Sequence, residues 1–119
     1  MEITESKAGT TLILGISGRL DATTSPDLDK LITQRLQSGA NNLLMDLSQL
    51  QYISSAGLRV LAVALKQVSA NSGRMRLCGL REPVKMVFDV SGFTSFFPIS
   101  ASVEEALASL SQKTEPPAK

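Results

Sequence analysis

Residues 43–61 of this 119-residue chain read LLMDLSQLQYISSAGLRVL, and the rest of the fold can be argued outward from this stretch. Residues 43–47 are nearly all apolar, which is typical of an interior strand covered on both faces. A loop of mixed polar and apolar residues follows, and then Ser54 and Ser55 precede apolar residues at helical spacing. The stretch therefore predicts a buried strand that ends near residue 47, a loop, and a helix from about residue 55 to 72.

On the N-terminal side of this stretch, the pattern indicates two strands and one helix. Residues 2–7 and 11–17 favour strands, and the short Gly-containing connection between them favours a hairpin. The pair Ser25–Pro26 indicates a helix start, with the Ser25 hydroxyl as N-cap and proline at the first helical position. Gly39 is the predicted end of that helix.

On the C-terminal side, strand and helix signals continue to alternate. Residues 75–80 favour a second interior strand, and a helix is predicted from Pro83 to Gly92. Ser102 to Glu105 form a capping box that opens a last helix. Between these two helices, a short apolar segment is predicted to pair as an edge strand through Phe93, Phe96 and Phe97.

This order predicts a single-domain α/β fold with a mixed sheet of four to five strands and about four helices. Alternating strands and helices imply parallel strands joined by right-handed crossovers, while the first hairpin makes the sheet mixed. The domain is predicted to span residues 1–111. Residues 112–119 end in Glu-Pro-Pro-Ala-Lys and are predicted to form a disordered tail.

Composition excludes several classes of function. The chain has no histidine and a single cysteine, Cys78, so neither a Ser-His-Asp set nor a zinc site can be assembled. A formal net charge of +1 provides no strong field toward nucleic acid or an anionic membrane. We expect no metal, no cofactor, and no direct contact with nucleic acid or membrane. The lone thiol and the lack of a secretion signal predict a cytoplasmic protein.

The start of the helix near Ser55 is suited to a phosphorylation switch. Backbone N–H groups without partners and the helix dipole favour an anion there. Phosphorylation would add about −1.5 to −2 charge units, which a docked partner would have to desolvate. The alternative from local pattern alone is that Ser54 or Ser55 is simply the N-cap, and that Ala56 and Gly57 only permit close packing.

Three segments resemble the STAS domain, in the branch of bacterial anti-sigma factor antagonists. The main segment, from Asp46 to Leu61, resembles the signature of the family, and residues 18–21 and 80–93 resemble its flanking motifs. The resemblance places the phosphorylated serine at Ser55, with Ser54 as second choice. It also implies a partner-binding surface formed by Asp21, Ser54, Ser55, Ala56, Gly57, Leu58 and Arg59.

The resemblance implies partner switching without catalysis. The unphosphorylated protein would bind an anti-sigma factor that is also a serine kinase, and so free the sigma factor. Phosphorylation at Ser55 would abolish this binding, and a serine phosphatase would reset the protein. One alternative is a STAS docking subunit of a transport or scaffold assembly without a phosphorylation cycle. Another is an aspartate-phosphorylated receiver that uses Asp46, although the acidic pair that holds magnesium in a receiver is missing.

Overall fold

The computed structural model describes residues 1–95 and 97–110. Strands and helices occur in the predicted order, as β1 (Glu2–Ala8), β2 (Thr11–Leu20), α1 (Ser25–Gln37), β3 (Asn42–Ile53), α2 (Ser55–Ala70), β4 (Met75–Cys78), α3 (Glu82–Ser91), β5 (Ile99–Ser100) and α4 (Val103–Leu110). The five strands form one sheet in the order β1-β2-β3-β4-β5, in which only the β1–β2 pair is antiparallel. The predicted single-domain α/β fold with a mixed sheet is confirmed.

The helices cover the two faces of the sheet unequally. Each parallel crossover steps in the same direction across the sheet, so right-handed connections place α1, α2 and α3 on one face. The main core lies beneath them and includes Leu28 of α1, Leu61 of α2 and Phe88 of α3. The other face is covered by α4, where Ala106 and Leu110 pack with Leu44 and Cys78 in a second, smaller cluster.

The central strand β3 is longer than predicted, and the loop predicted after residue 47 is wrong. In the parallel pairing with β2, Gly15 pairs with Asp46 and Ser17 pairs with Gln49, so β3 has one extra residue between these pairs. A second extra residue of β3 lies just before the pair Arg19 and Tyr52. These two bulges change the spacing of the buried residues from two to three, so that Leu47, Leu50 and Ile53 all face the core. The interrupted alternation reads as a loop in the sequence.

The start of α1 differs from the prediction by one residue. Ser25 is the first residue of the helix, and Thr24 is the N-cap without a side-chain cap bond. The turn is closed instead by Asp21, whose carboxylate oxygen Oδ1 accepts hydrogen bonds from the N–H groups of Thr23 and Thr24 at 3.0 and 3.2 Å. The prediction of Ser25 as N-cap is therefore wrong, because the Ser25 hydroxyl donates to the carbonyl oxygen of Asp21 and caps no helix N–H group.

The predicted edge strand around the phenylalanines is also wrong. Residues Phe93–Ser95 form a 3-10 turn, and Phe97 packs into the core with its ring centroid 5.9 Å from that of Phe88. Phe96 lies outside the described residues. The edge strand is Ile99–Ser100, which pairs parallel to β4. One half of the predicted capping box is present, because the Glu105 N–H donates to Ser102 Oγ at 3.2 Å. The Glu105 carboxylate accepts from the Ala101 N–H at 3.4 Å, one residue before the position that a capping box requires.

The predicted tail at residues 112–119 falls outside the described part of the chain. Within the part that is described, no helix has the length and apolar character that a membrane span requires. Residues 1–95 and 97–110 also contain no cluster of three acidic, cysteine or histidine side chains that could bind a metal ion.

Candidate functional site

The candidate site lies where β2 and β3 end side by side and α2 begins. The register pairs Leu20 with Ile53, so both strands reach the same edge of the sheet. The N–H of Ser54 donates to the carbonyl oxygen of Leu20 at 2.9 Å, which ties the first turn of α2 to the end of β2. The connection after β2 and the start of α2 therefore form one surface.

Ser54 is the N-cap of α2. Its backbone is extended, and its hydroxyl oxygen accepts a hydrogen bond from the N–H of Gly57 at 3.4 Å. The Leu58 N–H donates to the Ser54 carbonyl oxygen at 2.9 Å, which closes the first helical turn. The side chain and both backbone groups of Ser54 are thus engaged in beginning the helix, and the residue is only partly exposed.

Ser55 occupies the first helical position and is exposed. Within residues 1–95 and 97–110, its hydroxyl has no hydrogen-bond partner. No acidic residue lies in the first turn of α2, so the positive end of the helix dipole has no carboxylate on its own helix beside it. The hydroxyl of Ser55 is therefore accessible to solvent, at a helix end whose dipole favours negative charge.

Gly57 and Leu58 face inward, unlike their neighbours. A Cβ atom on Gly57 would lie 2.9 Å from the carbonyl oxygen of Leu20 and 2.8 Å from a side-chain carbon of Ile53. Glycine is therefore required for the close approach of α2 to the ends of both strands. Leu58 is 5% exposed and belongs to the main core. These two residues of the predicted partner surface shape it from beneath, and neither offers a side chain to solvent.

Asp21 follows the end of β2, next to the start of α2. Hydrogen bonds from the Thr24 N–H, then from the Thr23 N–H and the Thr24 hydroxyl, together with the Arg19 guanidinium, hold the pKa of Asp21 below its ordinary value, while desolvation opposes them. The carboxylate is therefore ionised at neutral pH. It both organises the turn before α1 and presents a negative charge at the rim of the site.

Arg19 and Tyr52 form a pair that the sequence pattern did not indicate. They face each other across the β2–β3 register, and the guanidinium carbon of Arg19 lies 4.2 Å from the centroid of the Tyr52 ring. The Arg19 Nε also lies 3.7 Å from Oδ2 of Asp21. Tyr52 is 39% exposed. The signal that was missed is the extension of both strands, which places these side chains opposite one another.

Asp46 lies in the middle of β3, with seven further strand residues after it. Its Oδ1 accepts a hydrogen bond from the N–H of Ser48 at 3.0 Å, at the first bulge. A receiver carries its phosphoacceptor at the end of a strand, so the position of Asp46 is unlike that arrangement. Burial, and then the charge of Asp46, raises the pKa of the Cys78 thiol to about 11, which keeps that thiol protonated and unreactive.

Comparisons with a family model and with known protein sequences point to the same family. The family model described as STAS domain matches residues 2–106. The protein BtrV of Bordetella bronchiseptica, which is assigned as an anti-sigma factor antagonist, is 36% identical over 108 residues that cover 91% of this chain and 93% of BtrV.

Solved structures share the fold at lower identity. A crystal structure from Thermotoga maritima, of a protein assigned as an anti-sigma factor antagonist, has a TM-score of 0.86 at 22% identity and covers 91% of this chain and 93% of that chain. The Bacillus cell fate determinant SpoIIAA in its phosphorylated form has a TM-score of 0.71 at 19% identity, covering 91% and 98%. The family model and the match to BtrV show that the chain belongs to the STAS domain family and, within it, to the anti-sigma factor antagonists.

Proposed function

We propose that this protein acts by partner switching, with Ser55 as the phosphorylated residue. The observation that supports the proposal best is the difference between the hydroxyl groups of the two adjacent serines. The Ser54 hydroxyl is used as the helix cap, whereas the Ser55 hydroxyl is exposed at the first helical position. A kinase can therefore modify Ser55 without breaking a bond that holds the helix.

The second choice, Ser54, is less suited to modification. A phosphate on its oxygen would change the acceptor that binds the Gly57 N–H, and Ser54 is less exposed than Ser55. Loss of a serine N-cap costs about 1 kcal/mol in a typical helix. We therefore assign the phosphorylation to Ser55.

Phosphorylation at Ser55 is expected to block docking and spare the fold. The phosphate adds about −1.5 to −2 charge units and takes the net charge of the chain, formally +1, below zero. A partner seated over this surface would have to desolvate that anion. A penalty of about 3 kcal/mol weakens binding about a hundredfold. The helix itself tolerates the charge, since an anion near a helix N-terminus is favourable.

The partner-binding surface that we propose has exposed and supporting members. Ser55 and Arg59 are exposed, while Asp21, Ser54 and Ala56 are partly exposed. Gly57 and Leu58 support this surface from beneath. The name of BtrV points to an anti-sigma factor as the partner. We propose that this partner is a cytoplasmic serine kinase, that its release frees a sigma factor, and that a phosphatase resets the cycle.

On this proposal the protein is a ligand and a kinase substrate, and it carries out no catalysis. The competing function is a STAS docking subunit in a transport or scaffold assembly. In such a subunit the same surface would be occupied permanently, and the hydroxyl of Ser55 would serve no purpose. The two functions differ in one measurable respect, which is whether Ser55 is phosphorylated in cells.

The experiment uses three variants as baits from cells of the source organism, with mass spectrometry of the captured proteins. Ser55→Ala should capture a kinase-type partner constitutively, and Ser55→Asp should capture at least tenfold less of it. Ser69→Asp is the matched control, because Ser69 is exposed on the same helix but at its other end. Phosphate-affinity gels of the cellular protein should show a second band that Ser55→Ala lacks. Equal capture by all variants, with a single gel band, would favour the docking subunit.

A further inference from the structure

Arg59 lies one helical turn after Ser55, on the same side of α2. It is exposed, and within residues 1–95 and 97–110 its guanidinium forms no ion pair or hydrogen bond. Side chains in a helix lean toward the helix N-terminus, so a long side chain at position 59 can reach the turn that contains Ser55. An anion four residues before a cation is also the more favourable order of such a pair.

At the end of β2 and on α2 itself, the other charged groups are paired, repulsive or distant. Arg19 is paired with Asp21 and stacked over the Tyr52 ring. Asp21 contributes a negative charge from the connection after β2, which would repel a phosphate. On α2 itself, the next cation after Arg59 is Lys66, about 16 Å along the axis from Ser55 at 1.5 Å per residue. Among the cations of α2 and of the end of β2, Arg59 is therefore the one best placed to receive a phosphate on Ser55.

From this arrangement we infer that Arg59 binds the phosphoryl group of phosphorylated Ser55 and holds it along α2; the inference rests on Ser55 being the phosphorylated residue. A guanidinium matches phosphate with two parallel hydrogen bonds, which a lysine ammonium cannot form. Binding of the phosphate would also withdraw Arg59 from the partner-binding surface. One modification would then change two groups of that surface, by adding an anion and by removing a cation.

The test is a phosphorus NMR titration of the full chain with phosphoserine installed at position 55 during synthesis. In the parent, Arg59 should stabilise the dianion and lower the second phosphate pKa. In Arg59→Gln, that pKa should be higher by about 0.3 units, which corresponds to the usual strength of a helical i,i+4 pair. Arg59→Lys should lie between the two.

Lys66→Gln is the matched control, because it removes the same charge from an exposed position farther along α2. Its phosphate pKa should equal that of the parent. The inference is overturned if Arg59→Gln titrates like the parent, or if Lys66→Gln shifts the pKa as much as Arg59→Gln does. Since the phosphate is installed chemically, the titration reports on Arg59 whether or not cells phosphorylate Ser55. Failure of the switch in cells is detected separately by the gel and capture experiment.

Discussion

The starts of α1 and α2 have the same position in the sheet, but they differ in whether the hydroxyl of their first serine is exposed. Both helices follow parallel strands that end at the same edge of the sheet, and both have a serine as their first residue. Ser25 of α1 is 3% exposed, and its hydroxyl donates to the carbonyl oxygen of Asp21. Ser55 of α2 is exposed, with no such bond among the described residues. The same residue type at the same helical position is structural in one helix and available in the other.

The two helix starts also differ in the negative charge close to them. α1 has Asp27 in its first turn and the carboxylate of Asp21 before it, so negative charge is already present. α2 has no acidic residue in its first turn. A phosphate at α2 would therefore meet no carboxylate in the first turn of its own helix, whereas a phosphate at α1 would meet Asp27. On our proposal, Ser55 can act as a switch because it is exposed and because the first turn of its own helix has no acidic residue.

The largest expected effect comes from placing a charge at each of the two serines. Ser25→Asp should destabilise the fold by about 3 kcal/mol or more, because a carboxylate there is buried without a cation. Ser55→Asp should change the free energy of unfolding by less than about 0.5 kcal/mol, as exposed surface substitutions do. Urea unfolding of both variants and the parent at pH 7 measures the difference. Equal destabilisation would contradict the comparison.

Gly57→Ala tests the close packing that distinguishes the start of α2. The new methyl group would meet the backbone oxygen of Leu20, which cannot rotate away. We expect a loss of about 1–3 kcal/mol in stability, the range for overpacked sites, despite the better helix propensity of alanine. Urea unfolding of the variant, with Ser55→Ala as a baseline, is the measurement. A stabilised Gly57→Ala would show that α2 moves freely away from β2.

A smaller effect should separate the two adjacent serines. Ser54→Ala removes the N-cap and should lower stability by about 1 kcal/mol. Ser55→Ala removes a hydroxyl without a described partner and should lower it by less than about 0.5 kcal/mol. Thermal unfolding of the two variants compares them directly. If Ser55→Ala proved the more damaging, the cap would have been assigned to the wrong serine.

The smallest effect concerns pH and the turn before α1. The pKa of Asp21 is lowered in the folded state, chiefly by the Thr24 N–H, so its contribution to stability is fully present above the ordinary aspartate value of 3.8. That contribution is lost as the pH falls through the lowered folded pKa. The stability difference between the parent and Asp21→Asn should therefore shrink below about pH 4. A difference that is independent of pH would show that the charge of Asp21 is unimportant.

Much of the architecture is predictable from local patterns in this chain. The apolar run at residues 43–47, the Ser-Pro start near α1 and the capping box before α4 each mark an element that the structure contains. Local signals also placed a helix start at Ser54 and Ser55, and this is the feature on which the candidate site depends. They could not decide which serine is the cap, because that depends on where the Ser54 hydroxyl points.

The features that were missed arise from contacts between distant parts of the chain. The extension of β3 depends on bulges against β2, and their mark in the sequence, an interrupted alternation, is the same as that of a loop. The Arg19–Tyr52 pair exists only because of that extended register. Likewise, Phe97 enters the core beside Phe88, which no alternation in the segment around it indicates. The part of the site at the start of α2 could be predicted from the sequence. The part that β2 contributes, with Arg19 beside Tyr52, could not.

The two bulges in β3 have a further consequence for how this protein can vary in length. Residues 48–52 are polar or partly exposed over most of their length and resemble a surface loop, a kind of segment that usually accepts insertions and deletions. Here, the deletion of a single residue would reverse the inward and outward orientation of every later position in the strand. The helix would then begin with a different residue toward solvent. The residue count between Asp46 and Ser55 therefore matters for which side chain the first turn of α2 presents to solvent.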